Sequence, residues 1–338
     1  MAIKANLTAN VEAEAAPRVL AASNAREENS LRRFLRYGLF FLLVGVLIYS
    51  VVYIAADQLV YKYAIRNRFY AVKSAPLVDY DVVILGASHA AVFDYEDMNS
   101  QLEQMTGKKI LNLSVVGSGI TMNRLLLDYF LIQHRTRQVI YFVDSFAFYS
   151  KDWNEDRLQD VRLLDRAPFD PSLVQLLWQN PASRSVAFDY TVGFSKINNS
   201  DRFKPDITED EAVRFTKTYR PVKQIDAQRI EYLYPKKMDP AIFQRYLTEF
   251  EDMLRYLQSR NIRVRVIKPP IPERMYRMLP NEAQFDVALK PVLDRNSVEF
   301  YDFSLVNNDE SFFFNPDHLN RAGVLNFFES NLKNILAR

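Results

Sequence analysis

Twenty consecutive residues, 37–56, carry no charge and consist mostly of Leu, Val, Ile and Phe, with Arg36 before them and Asp57 after. That is the length a helix needs to cross a bilayer, about 20 residues. A soluble helix of that length normally keeps a charged outer face, which this stretch lacks. A cleaved signal peptide fits less well. The apolar run is too long for its hydrophobic region, starts more than thirty residues into the chain, and lacks a small-x-small cleavage site. Residues 1–30 are rich in Ala, Asn and Glu without apolar periodicity, which predicts a disordered tail. The expected division is a tail at 1–35, a membrane span at 36–57, a linker at 58–79 and one domain at 80–338.

Within that domain short β-branched runs alternate with helical patterns, the signature of a parallel sheet with crossover helices. Strands are expected at 82–86, 109–113, 138–143, 262–267 and 298–301. The clearest helix is 239–260: Asp239 caps it and Pro240 suits its first turn. Ile242, Phe243, Tyr246, Leu247, Phe250, Met253, Leu254 and Leu257 give that helix one apolar face. Between the third and fourth strands lies an insertion, 146–238, far longer than an ordinary crossover. It holds a helix opened by Asp170-Pro171 and running through Trp178, and an acidic cluster at Glu209, Asp210 and Glu211. Aromatic-basic stretches follow at Tyr219-Arg220 and from Tyr232 to Lys237. The insertion reads either as packing or as a lid or docking surface.

Charge then narrows the function. A net charge of +2, without Lys/Arg runs interleaved with aromatics after the apolar segment, argues against a nucleic-acid partner. Zero cysteines exclude disulfides, thiolate catalysis and zinc-thiolate sites. Gly117 and Gly119 lack the third glycine or the Lys of a phosphate loop, so no nucleotide cofactor is expected, and no metal site is assigned. The twenty residues before the span carry five basic side chains and the twenty after it four. The positive-inside bias is therefore nearly balanced. Arg32, Arg33 and Arg36, immediately before the span, favour an N-terminus inside and a domain outside.

Three strand ends carry candidate chemistry. The first gives Gly86-Ala87-Ser88-His89, placing a serine at the carboxyl edge where open α/β sheets build their sites. As an isolated signal, this serine reads more readily as the N-cap of the following helix. The second gives Asn112-Leu113-Ser114-Val115-Val116-Gly117, whose glycine lets a backbone N–H approach a ligand or simply makes a turn. The loop after the fifth holds Asn315-Pro316-Asp317-His318-Leu319-Asn320, and His318 is one of three histidines in the chain.

Taken together, Gly86-x-Ser88-His89, Asn112-Leu113 and His318-Leu319-Asn320-x-x-Gly323 resemble the SGNH (GDSL-like) hydrolase superfamily. The resemblance is nearest to its membrane-anchored branch, which includes the D-alanyl transfer protein of teichoic acid synthesis and alginate O-acetylation proteins. It implies a flavodoxin-like, three-layer α/β domain with a five-stranded parallel sheet behind a single-pass helix. It also implies Ser88 as nucleophile, His318 as base, and the Ser88 and Gly117 amides as oxyanion donors. The implied reaction is acyl transfer to or from a sugar hydroxyl of an exported polysaccharide, beside a membrane-bound O-acyltransferase partner. The implied place is a bacterial inner membrane, the domain facing the periplasm or the outside. A neutral serine needs such a base to become nucleophilic.

The sequence departs from that pattern at two places. Asn315 stands where the superfamily usually has its acid, three residues before the histidine. Asp317 is adjacent to His318, and in extended chain its side chain points to the opposite side. The third strand ends in Val143-Asp144-Ser145 rather than in an Asn donor, leaving Ser145 as a substitute and Asp144 as a charge that would repel an oxyanion. A catalytically degenerate SGNH-like scaffold of an envelope-polysaccharide assembly is therefore the second expectation.

Overall fold

In a computed structural model the chain separates between Ala56 and Asp57 into two units. Residues 2–159, 161–199 and 207–337 are described, with the backbone alone at 2–27, 161–162, 207–209 and 337. The first unit is helical, and its helix, Ala2–Tyr63, continues across the boundary. The stretch Glu28–Tyr63 is long and apolar enough to cross a membrane. Its large side chains, Phe34, Phe40, Phe41 and Leu47 among them, stand exposed, which suits surroundings other than water. Of the expected disordered tail, Met1 lies outside the described residues, and the backbone from Ala2 on belongs to this helix, with side chains described from Glu28.

The second unit is an α/β domain on a five-stranded parallel sheet of order β2-β1-β3-β4-β5. The strands are β1 (Asp79–Leu85), β2 (Ile110–Asn112), β3 (Arg135–Phe142), β4 (Arg263–Lys268) and β5 (Glu299–Asp302). All five expected strands are present. β1 and β3 each begin three residues early, because Asp79 pairs with Arg135 ahead of the apolar run. β5 is an edge strand with mostly exposed side chains, so it shows little hydrophobic pattern.

Alternation along the strands splits the core in two. Val83, Leu85, Val139, Tyr141, Val264 and Val266 face one side, under the helices Ile120–Gln133, Pro240–Ser259 and Glu282–Arg295. Val82, Ile84, Ile140, Phe142 and Ile267 face the other, under Met98–Thr106 and Arg321–Phe327. The helix Pro240–Ser259 forms as expected. Asp239 accepts the Ala241 N–H at 2.8 Å, and Tyr246, Leu247, Phe250, Met253, Leu254 and Leu257 are buried.

In the insertion, Asp170 accepts the Ser172 N–H at 2.8 Å and opens the helix Pro171–Gln179. The helices Arg184–Val192, Phe194–Asn198 and Lys223–Leu233 follow. Of the acidic cluster, the side chain of Glu209 lies outside the described residues, while Glu211 accepts the Tyr95 hydroxyl at 3.0 Å.

β1 leads to β2 on one side and β3 on the other, so the strand order reverses at β1, where open α/β sheets form a crevice. Gly86 closes β1 at φ +143°, a backbone that side chains rarely adopt, and a Cβ there would sit 2.9 Å from both the Ala90 Cβ and the Phe142 carbonyl oxygen. Gly86→Ala should therefore cost about 1–3 kcal/mol through overpacking alone. A denaturation midpoint unchanged from wild type would contradict this.

Candidate functional site

Strand register explains the first contact of the site. Leu85 lies opposite Tyr141 in the parallel pair β1–β3, so residues three beyond each, Ser88 and Asp144, emerge at the same height on the carboxyl edge. After Gly86 the chain turns into a short helix, Ser88–Ala91. Ser88 is 3% exposed, and its hydroxyl makes no hydrogen bond among the described residues. His89, the next residue, donates from Nδ1 to Asp144 Oδ1 at 2.7 Å, with both side chains buried. Asp144 is thus committed to an imidazole.

The second half comes from the loop after β5. Asn315 Oδ1 accepts three N–H groups: the backbone of Asp317 at 3.1 Å, the backbone of His318 at 2.8 Å, and the His318 ring at Nδ1, 2.9 Å. This side-chain-centred turn corrects the expectation for Asp317. The chain is not extended there, and Asp317 Oδ1 comes within 2.9 Å of the same His318 Nδ1. With Nδ1 donating, the lone pair of His318 resides on Nε2.

The two halves meet face to face. The His89 and His318 rings stack with centroids 4.5 Å apart and planes 28° apart. Asp317 Oδ2 lies 3.6 Å from His89 Nε2, and Arg229 Nε donates to both Asp317 oxygens, at 2.8 and 3.1 Å. Buried and without a hydrogen-bond partner among the described residues are His89 Nε2, His318 Nε2 and Asp144 Oδ2. Two imidazoles are therefore each fixed at Nδ1 by an oxygen and free at Nε2, an arrangement suited to taking up or delivering a proton.

Burial disfavours a charged His89, but the Asp144 charge and hydrogen bond, with Asp317 behind them, outweigh it and raise its pKa above the ordinary value. Burial likewise opposes the Asp317 carboxylate, yet Arg229, His318 and His89 hold its pKa well below the usual range. The raised pKa of His89 contributes stability that is fully present below the unfolded value, about 6.5, and is lost as pH rises through the folded value. Asp144→Asn removes the main raising influence. Its unfolding midpoint should therefore fall less than that of wild type as pH is raised from 6 to 9. Parallel midpoints for the two proteins across that range would refute the assignment.

The other expected oxyanion groups stand as follows. The backbone N–H groups of Ser88 and Gly117 are donated to no carbonyl among the described residues. Gly117 has φ +67° and lies under Arg157, which donates to the Val116 and Gly117 carbonyls at 2.7 and 3.2 Å. Ser145 does not supply a free donor. Its hydroxyl donates to Glu282 and meets the Tyr234 hydroxyl at 2.6 Å.

A pocket adjoins these residues. It is lined by His89, Asp144, Asp317, Ser145, Tyr234, Lys268 and Glu282, with Phe146, Leu233, Ile271 and Met275 supplying apolar surface. Lys268 is buried and ion-paired to Glu282 at 2.6 Å and Asp286 at 2.7 Å. Ser88 and His318 are not among the residues lining it. His89, Asp317 and His318 also bring possible metal-ligand atoms within 4.8 Å of one another. Any cation there competes with the Arg229 guanidinium, which already occupies the carboxylate.

Sequence reasoning missed the roles of His89, Asp144 and Arg229. The first two were findable, since residues just beyond the ends of neighbouring parallel strands share an edge; Arg229 lies in the insertion and left no local signal.

Neither a protein-family model nor a curated protein matches this chain. Among solved structures, the chain is similar to an inferred acylhydrolase from Bacteroides fragilis, with 10% identity and a TM-score of 0.40, covering 80% of this chain and 96% of that one. It is also similar to a GDSL-like lipase from Bacteroides thetaiotaomicron, with 9% identity and a TM-score of 0.40, covering 79% and 95%.

Proposed function

We propose that this protein is a membrane-anchored, serine-dependent acyltransferase or esterase acting on hydroxyl groups of an exported cell-envelope polysaccharide. The observation that carries the reading is His318: Nδ1 is fixed on Asn315 and Asp317, Nε2 is unpaired, and the ring stacks on the neighbour of Ser88. Asn315 supplies by its amide oxygen what a carboxylate supplies elsewhere, one defined tautomer of the base. Ser88 is then the nucleophile: His318 takes its proton and returns it to the oxygen that leaves as the acyl donor's ester bond breaks, and the Ser88 and Gly117 amides receive the developing oxyanion; a sugar hydroxyl or water, deprotonated by His318, then takes the acyl group, and the proton goes back to Ser88. The apolar helix holds this chemistry at the outer face of a bacterial inner membrane, where a membrane-bound O-acyltransferase delivers the acyl group.

Treating the full chain in detergent with a fluorophosphonate and mapping the adduct by peptide mass spectrometry tests the nucleophile. The expected adduct is on Ser88; labelling elsewhere, or none, counts against the enzyme. One observation favours a second reading, a non-catalytic scaffold of the same assembly: Ser88 Oγ donates to neither imidazole. Under that reading Ser88 stays unlabelled, and deletion of the insertion breaks the assembly.

A further inference from the structure

The insertion carries an aromatic surface that the chemistry above does not use. Trp178, at the end of the helix Pro171–Gln179, is 44% exposed, and its indole N–H donates to Thr191 Oγ1 at 3.3 Å. Thr191 lies one turn beyond Phe188 on the next helix, so Trp178 and Phe188 share a face; Phe188 is 61% exposed. Arg184 lies one turn before Phe188 and donates from Nε to the Trp178 carbonyl at 3.3 Å. Phe194, also 61% exposed, opens the following short helix. A tryptophan and two phenylalanines edged by an arginine make the amphipathic composition that settles at a membrane interface.

The chain itself says which surface this faces. Lys196, in the same turn as Phe194, is buried and donates from Nζ to Asp57 Oδ1 at 2.6 Å, and the Phe169 N–H donates to the same oxygen at 2.8 Å. Asp57 is the first residue after the uncharged stretch that ends at Ala56. The helices bearing the aromatic surface are therefore fastened to the residue at which the chain leaves the apolar segment. We infer that Trp178, Phe188 and Phe194 rest in the headgroup region of the bilayer, so that the insertion is a second, peripheral membrane contact. It rests on the reading of the apolar helix as a span.

The test uses the full chain in nanodiscs of phosphatidylethanolamine and phosphatidylglycerol, with or without bromine on the acyl chains. The protein has two tryptophans, so the difference between wild type and Trp178→Phe isolates Trp178 emission from that of Trp153. For a ring at interfacial depth, brominated lipid should remove about half or more of the Trp178 emission. Phe188→Asp with Phe194→Asp should restore most of it. Trp178 emission unchanged by bromine in an inserted chain overturns the inference and points instead to a protein partner on this face. A chain that stays in solution without entering nanodiscs overturns the span itself, and this inference with it.

Discussion

If the proposed function holds, Ser88→Ala should remove acyl transfer to the polysaccharide, lowering turnover by about 10³-fold or more, as deletion of a serine nucleophile does where nucleophile and base act as a unit. The variant should fold normally. The Ser88 hydroxyl makes no hydrogen bond among the described residues, so its loss falls among changes worth about 0.5 kcal/mol or less. The measurement is acyl content of the polysaccharide in cells carrying the variant, with membrane-bound protein quantified alongside. Undiminished acylation at equal protein levels removes Ser88 from the mechanism and leaves the scaffold reading standing.

The second large effect is on stability. Asp317 is 2% exposed and stays ionised through Arg229, which donates to both of its oxygens. Arg229→Leu strands that carboxylate in the interior with only the two imidazoles beside it, and breaking a buried pair in this way costs about 3–5 kcal/mol. The denaturation midpoint of the full chain should drop accordingly. Adding Asp317→Asn to Arg229→Leu should recover a large part of the loss, because the uncompensated charge is then gone. A single variant within about 0.5 kcal/mol of wild type would mean that Asp317 has other means of neutralisation.

The residues that announced themselves in the sequence did so by local rules. Asp239-Pro240 and Asp170-Pro171 each opened a helix where capping chemistry said one should open. The β-branched runs of β1, β3 and β4 read directly as buried parallel strands, and the long apolar helix read as such from its missing charges. What stayed illegible depended on contacts between distant segments. His89 and Asp144 are 55 residues apart and meet only because β1 and β3 are neighbours. Asp144 consequently read as a hazard to an oxyanion when it is the partner of a ring. Asp317 was misjudged for the opposite reason, a local one: the Asn315 side chain bends the backbone into a turn that alternation along an extended chain does not anticipate. Ser145 was misjudged because its partners, Tyr234 and Glu282, come from the insertion and from a later helix.

Asn315 has one further property, a matter of chemical ageing. Asparagines convert to aspartate chiefly when the backbone nitrogen of the next residue attacks the side-chain amide, and that route needs an N–H. The next residue is Pro316, which has none. The side chain is also tied down by three donors to its oxygen. The amide in the usual acid position is therefore durable over the life of the molecule, and a charge is not slowly introduced beside His318 as the protein grows old.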